Sequence, residues 1–149
     1  MARGDLTVFE EAKATMLDGG WEPTDEIWIG LVTDTDVSAD ADKPAYASGG
    51  NTNYTAIATA GNYSAGGEKL DTLANMVVEV AGTMTFDDTG ASVTWAQDGS
   101  NPQNADHAVI YNKTDNLCIA MLDLDGPVDM QAGDLTITWN GSGIFTIVK

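Results

Sequence analysis

Apolar positions change their period once along this chain. In "DLTVFEEAKATMLDGG" the residues Val8, Phe9, Ala12 and Met16 fall three and four apart, a spacing that stacks side chains on one face of a helix. Asp5 can cap the start and Gly19 can close the last turn, which predicts a helix over 5–18. From "EIWIGLV" (26–32) onward the pattern becomes short runs of Val, Ile, Thr and aromatic residues, punctuated by Gly, Asn, Asp and Pro. Runs near 54–59, 76–86, 92–96, 107–111, 117–122, 134–139 and 143–148 bring the expectation to about eight strands. Leu135, Ile137 and Trp139 share one face of "LTITW", and Val93 and Trp95 share one face of "SVTW". Such alternation belongs to half-buried antiparallel strands. "NGSG" (140–143) predicts a turn that joins the last two strands as a hairpin.

These elements predict an all-β fold in one domain, 1–149: an antiparallel, jelly-roll-like β-sandwich over 26–149, with one N-terminal α-helix packed on it or reaching outward. A chain of 149 residues buries enough surface to need no metal or disulfide for its core. Two polar stretches, 33–53 and "AQDGSNPQNADH" (96–107), are long for connections in a compact domain. Ordered loops of that length are commonly binding surfaces. The echo of "NYTA" (53–56) in "NYSA" (62–65) is too short to mark a repeat.

Charge narrows the partners. With 23 acidic and 6 basic side chains the net charge is −17, which opposes contact with nucleic acid and with anionic lipid. Neither nucleic acid nor membrane is therefore expected as a partner. "IWIGLV" and "CIAML" fall well short of a bilayer span, and "MARGDL" lacks the apolar region of a signal peptide, so synthesis is expected in the cytoplasm. Cys118 is the single cysteine and cannot form an internal disulfide. Its "LCIAML" setting predicts a buried strand thiol.

Four features invite a chemical interpretation, and two of them, a calcium frame and a phosphate loop, fail on a residue. "DTDVSADADKPA" places Asp34, Asp36, Ser38, Asp40 and Asp42 at alternate positions of a twelve-residue calcium frame. Ala39 stands where the sharp turn needs Gly, and Ala45 where the frame needs a bidentate Glu, so a solvated loop is expected. His107, the single histidine, opens the run "HAVIYN", where a backbone-bonded strand residue is expected rather than a general base. "GNYSAGGEKL" imitates a phosphate-binding loop until Gly67, which stands where that loop needs Lys. Sequons at Asn53, Asn62, Asn112 and Asn140 indicate an Asn- and Thr-rich surface. Trp21, Trp28, Trp95 and Trp139 are expected as core or partner-facing anchors. No catalytic residue, cofactor or metal ligand is expected, and the chain is expected not to be an enzyme.

The ordered set "FEEAKATMLDGG", "DEIWIGLVTDT", "NYSAGGEKL", "VTWA", "HAVIYNKTDNLCIAMLDL" and "AGDLTITWNGSGIFTI" resembles a family of small structural proteins of tailed bacteriophages, among them capsid decoration (cement) proteins. The resemblance runs over nearly the whole chain. It implies a β-sandwich with a short N-terminal helical arm, found on the capsid surface of the virion after synthesis in the host bacterium. The implied partners are the major capsid protein and further copies of the chain, as a dimer or trimer. Phe9, Met16, Leu17 and Trp21, on and after the amphipathic helix, are the candidate contact residues, and the loop 33–53 is a second candidate surface. A tail or head-to-tail connector role remains the alternative, and a carbohydrate-binding module or glycan-cleaving enzyme a more remote one.

Overall fold

The computed structural model of the chain describes residues 4–33, 55–81, 83–88 and 92–148. Among these lie ten strands and two helices: β1 (Leu6–Val8), α1 (Glu10–Leu17), β2 (Glu26–Val32), β3 (Glu68–Thr72), α2 (Leu73–Met76), β4 (Val77–Val80), β5 (Thr83–Phe86), β6 (Val93–Trp95), β7 (Ala105–Asn112), β8 (Leu117–Val128), β9 (Leu135–Ile137) and β10 (Phe145–Val148). The strands form a five-stranded sheet, β1-β8-β7-β2-β3, a three-stranded sheet, β10-β5-β4, and a two-stranded sheet, β6-β9. Every pairing is antiparallel. One apolar cluster draws on all three sheets, through residues such as Ile29, Phe86, Trp95 and Leu135. The chain is thus the all-β antiparallel sandwich that its patterning predicts.

Strand β7 sits at the centre of the large sheet and is buried at all eight residues. A strand covered on both faces needs no polar alternation, which is why "HAVIY" reads as a continuous run. Where one face meets water the alternation is clean: Val93 and Trp95 are buried around exposed Thr94, and Leu135 and Ile137 around exposed Thr136. Thr94 and Thr136 are register partners whose hydroxyls lie 2.9 Å apart.

The N-terminus departs from the helix predicted over 5–18. Residues 6–8 form a strand on the edge of the large sheet, with Leu6 opposite Leu122 and Val8 opposite Ala120. Helix α1 starts only at Glu10, and Asp5 does not cap it; the position before the helix is extended Phe9. "LTV" suits a pleated edge, and β8 offers it a ladder, which outweighs weak local helix preference. Gly19, at φ +72, does follow the helix as expected.

Other differences follow the same logic. The run 54–59 contributes only a bridge, Val32 to Ala56, among the described residues. The run 76–86 is a hairpin of β4 and β5 preceded by the short α2. The turn at 140–143 closes with an Asn140–Gly143 bridge, but it passes the chain from β9, paired to β6, to β10, paired to β5. It therefore links two sheets instead of making a hairpin. Asn112 is fully buried and donates to Asp25 Oδ2 at 2.7 Å, so that sequon is core and not surface. The 96–107 stretch is pinned by buried Asn101, whose Nδ2 donates to Ala96 O at 2.8 Å and whose Oδ1 accepts from Asn62 N at 2.6 Å.

Candidate docking surface

Ladder register assembles an apolar face on the three-stranded sheet. Phe86 is opposite Val77 on one side and Phe145 on the other. Alternation along β5 places Met84 on the same face as Phe86. The Phe86 and Phe145 rings stack at 4.8 Å, 12° from parallel, and Trp21 tilts against Phe86 at 6.4 Å. Met16, from the last turn of α1, and Leu73, from α2, complete a groove of about 160 Å³. Val77, Val78 and Met84 are 38%, 41% and 40% exposed, although valine and methionine normally seek the interior.

The four residues singled out from the helix pattern separate here. Met16 and Trp21 line this groove. Leu17 projects into solvent at 87% exposure. Phe9 is fully buried in the core and is withdrawn as a contact residue: the strand-to-helix junction turns its ring inward, so no partner reaches it in the folded chain. Leu73, Val77, Met84 and Phe145 were missed by sequence reasoning. Val77 lies in the largely apolar run "MVVEV" (76–80), while Leu73, Met84 and Phe145 fall in three other stretches, "TLA", "TMT" and "IFT", and none of these carries a mark of what it faces. The loop 34–53, including Asp34, Asp36, Asp40 and Asp42, lies outside the described residues.

Three carboxylates flank these elements in the chain, Asp71 on β3 before α2 and Asp87 and Asp88 after β5. Burial holds the Asp88 carboxyl above its ordinary 3.8, and repulsion from Asp71 and Asp87 adds to this. A hydrogen bond donated by Trp139 Nε1 at 3.3 Å works the other way. Asp71 is shifted down, chiefly because the Asn75 amide donates to it at 2.9 Å. The groove wall carries mainly hydrocarbon, sulfur and aromatic surface, a set suited to receiving apolar side chains and lacking a nucleophile–base pair.

His107, Cys118 and Gly67, which the sequence offers as chemical candidates, lie within the scaffold. His107 and Asp123 are register partners on β7 and β8, both buried, with Nε2 to Oδ1 at 4.0 Å. Cys118 is buried on β8, as its flanks predict. Among the described residues no three His, Cys, Asp or Glu side chains gather in a group able to hold a metal. Gly67 does not cradle phosphate: at φ +78, a Cβ there would stand 1.9 Å from Ile29 O, so the glycine allows the chain to cross β2 closely. Trp28 stacks under the Lys113 ammonium at 3.2 Å and donates to Glu26 at 3.3 Å, while Lys69 holds Glu26 at 2.8 Å. These contacts hold Glu26 below its ordinary value, with the Lys69 hydrogen bond the largest cause. Trp95 is a core residue tilted against Tyr63 at 5.9 Å.

Compared with protein-family models, curated proteins and solved structures, the chain matches none of them.

Proposed function

We propose that the protein is a non-enzymatic structural component of a tailed-phage virion, a decoration protein that binds the outside of the major capsid protein shell and stabilises it. The observation that carries this proposal is the apolar groove of Met16, Trp21, Val77, Met84, Phe86 and Phe145 on a molecule of net charge −17. Val77 and Met84 are the groove's exposed members, above half-buried Met16, Trp21 and Phe145 and buried Phe86; apolar side chains left open in a groove offer a partner a docking site, and aromatic anchors seated in such pockets carry much of an interface's energy. Acidity suits the outside of a DNA-filled shell, because it keeps free copies away from nucleic acid before they attach. Each copy needs only a modest contact; many copies bridging neighbouring subunits multiply its effect.

The test is sedimentation of purified expanded shells with the protein, followed by a count of bound copies. Wild type is expected to co-sediment in hundreds of copies per shell, and Met84→Lys, whose ammonium stands opposite Glu79, to lose attachment at least tenfold, about 1.4 kcal/mol, with its melting curve little changed. Labelling of tails, or a dozen or fewer copies at one vertex, would replace the shell with the connector role. Binding unaffected by the charge at Met84 would remove the groove from the interface.

A further inference from the structure

A strand at the edge of a sheet presents backbone N–H and C=O groups with no partner. Among the described residues strand β4 is such an edge, in the order β10-β5-β4. The direction of its free groups follows from two bonds: Asp87 N donates to Met76 O at 2.7 Å, and Ile144 N donates to Phe86 O at 2.7 Å. With Val77 opposite Phe86, the antiparallel alternation turns the backbone of Val78 toward β5 and the backbones of Val77 and Glu79 outward. The edges of the large sheet are blunted. β3 carries Lys69 and Asp71 and joins β2 across a register shift, and β1 ends after three residues in α1. "VVEV" has no Lys, no Pro and no bulge, and exposes Val77 on one face and Val78 on the other.

The geometry points to β4 as a self-association edge, pairing antiparallel with β4 of a second copy about a two-fold axis at Val78. Two copies each at −17 repel, so they can touch only where charge is sparse. Across β4 and β5 the single charged residue is Glu79. With Val78 on the axis, Val77 faces Glu79 of the second copy, and the outward backbone groups of the two residues exchange hydrogen bonds. The neighbouring register would set Glu79 directly against Glu79, a destabilising like-charge pair. A strand on a two-fold axis is complementary to itself. The product is a continuous six-stranded sheet, β10-β5-β4-β4-β5-β10. This surface goes beyond the shell proposal and does not rest on it, since an edge can pair while the groove face stays open.

Four-residue edges bury little, so the dimer is weak. It also tightens with salt: the screening length falls from about 10 Å at 0.1 M to about 3 Å at 1 M, which weakens the repulsion between copies. An association through ion pairs would loosen instead. Sedimentation of the full chain over a concentration series, at both salt levels, tests this. Wild type should show a monomer–dimer equilibrium whose dissociation constant falls severalfold at high salt. Glu79→Pro removes an N–H that points away from the internal ladder, and should leave the melting curve cooperative while lowering dimer affinity at least tenfold. Glu79→Gln keeps that N–H and should dimerise more tightly at low salt. If Glu79→Pro fails to fold, Val78→Lys, which sets two ammonium groups together on the axis, takes its place with the same expected loss. Wild type monomeric throughout, or an oligomer that survives the edge substitution in a folded chain, overturns the proposal.

Discussion

Phe9 and Asp88 show how a side chain's surroundings set the sign of its contribution. Phe9 is fully buried where β1 meets α1, so Phe9→Ala removes a ring from a packed core. A loss of about 3–5 kcal/mol is expected in denaturant titration, large enough to reduce shell binding only through unfolding. Asp88 is buried with its carboxyl shifted up, first by desolvation and then by Asp71 and Asp87. Its folded value lies above the unfolded one, so the native state takes up the proton more readily. Its charge consequently costs stability at neutral pH, and that cost disappears as pH falls through the folded value toward 3.8. Asp88→Asn keeps an oxygen for Trp139 Nε1, and should melt above wild type at pH 7. Thermal scans from pH 7 downward should show the difference shrinking in acid; a constant difference would mean that Asp88 does not titrate differently on folding.

At the scale of elements, local pattern and ladder partners divide the information between them. Strand β2 is legible from "EIWIGLV" to the residue, and β6 and β9 from their alternation, because burial of one face imprints period two on the sequence. Strand β3 is not legible: "EKLDT" has a single apolar residue, and it becomes a strand through its pairing with β2. The groove divides in the same way. Met16 and Trp21 follow from the helix pattern, whereas Val77 and Met84 are brought to one face by the register of the β4–β5 hairpin, and Phe145 joins them through β10, far along the chain. Gly67 carries a consequence at this scale, because it lets the approach to β3 pass within contact of the β2 backbone. Gly67→Ala would force a positive φ on alanine and drive its methyl into Ile29 O. A loss of more than about 3 kcal/mol is expected, beyond the common range for point substitutions; urea unfolding midpoints measure it.

The whole molecule is governed by its charge. Nineteen per cent of residues are charged and the acidic ones dominate, so compaction gathers like charges that the unfolded chain keeps apart. Sodium chloride between about 0.05 and 0.5 M shortens the range of that repulsion, and the melting temperature of the monomer should rise with it. A fall would indicate that pairs such as Lys69–Glu26 outweigh the general repulsion. Strand order adds a consequence in time. Leu6 lies beside Leu122, so β1 leaves the ribosome well over a hundred residues ahead of its neighbour and cannot find it until that stretch has followed. At roughly 5–20 residues per second, β1 stays solitary for on the order of ten seconds. The opposite edge is under no such delay, since β2 and β3 can pair before β7 and β8 have been made, whereas β1 is laid along its rim only once β8 exists.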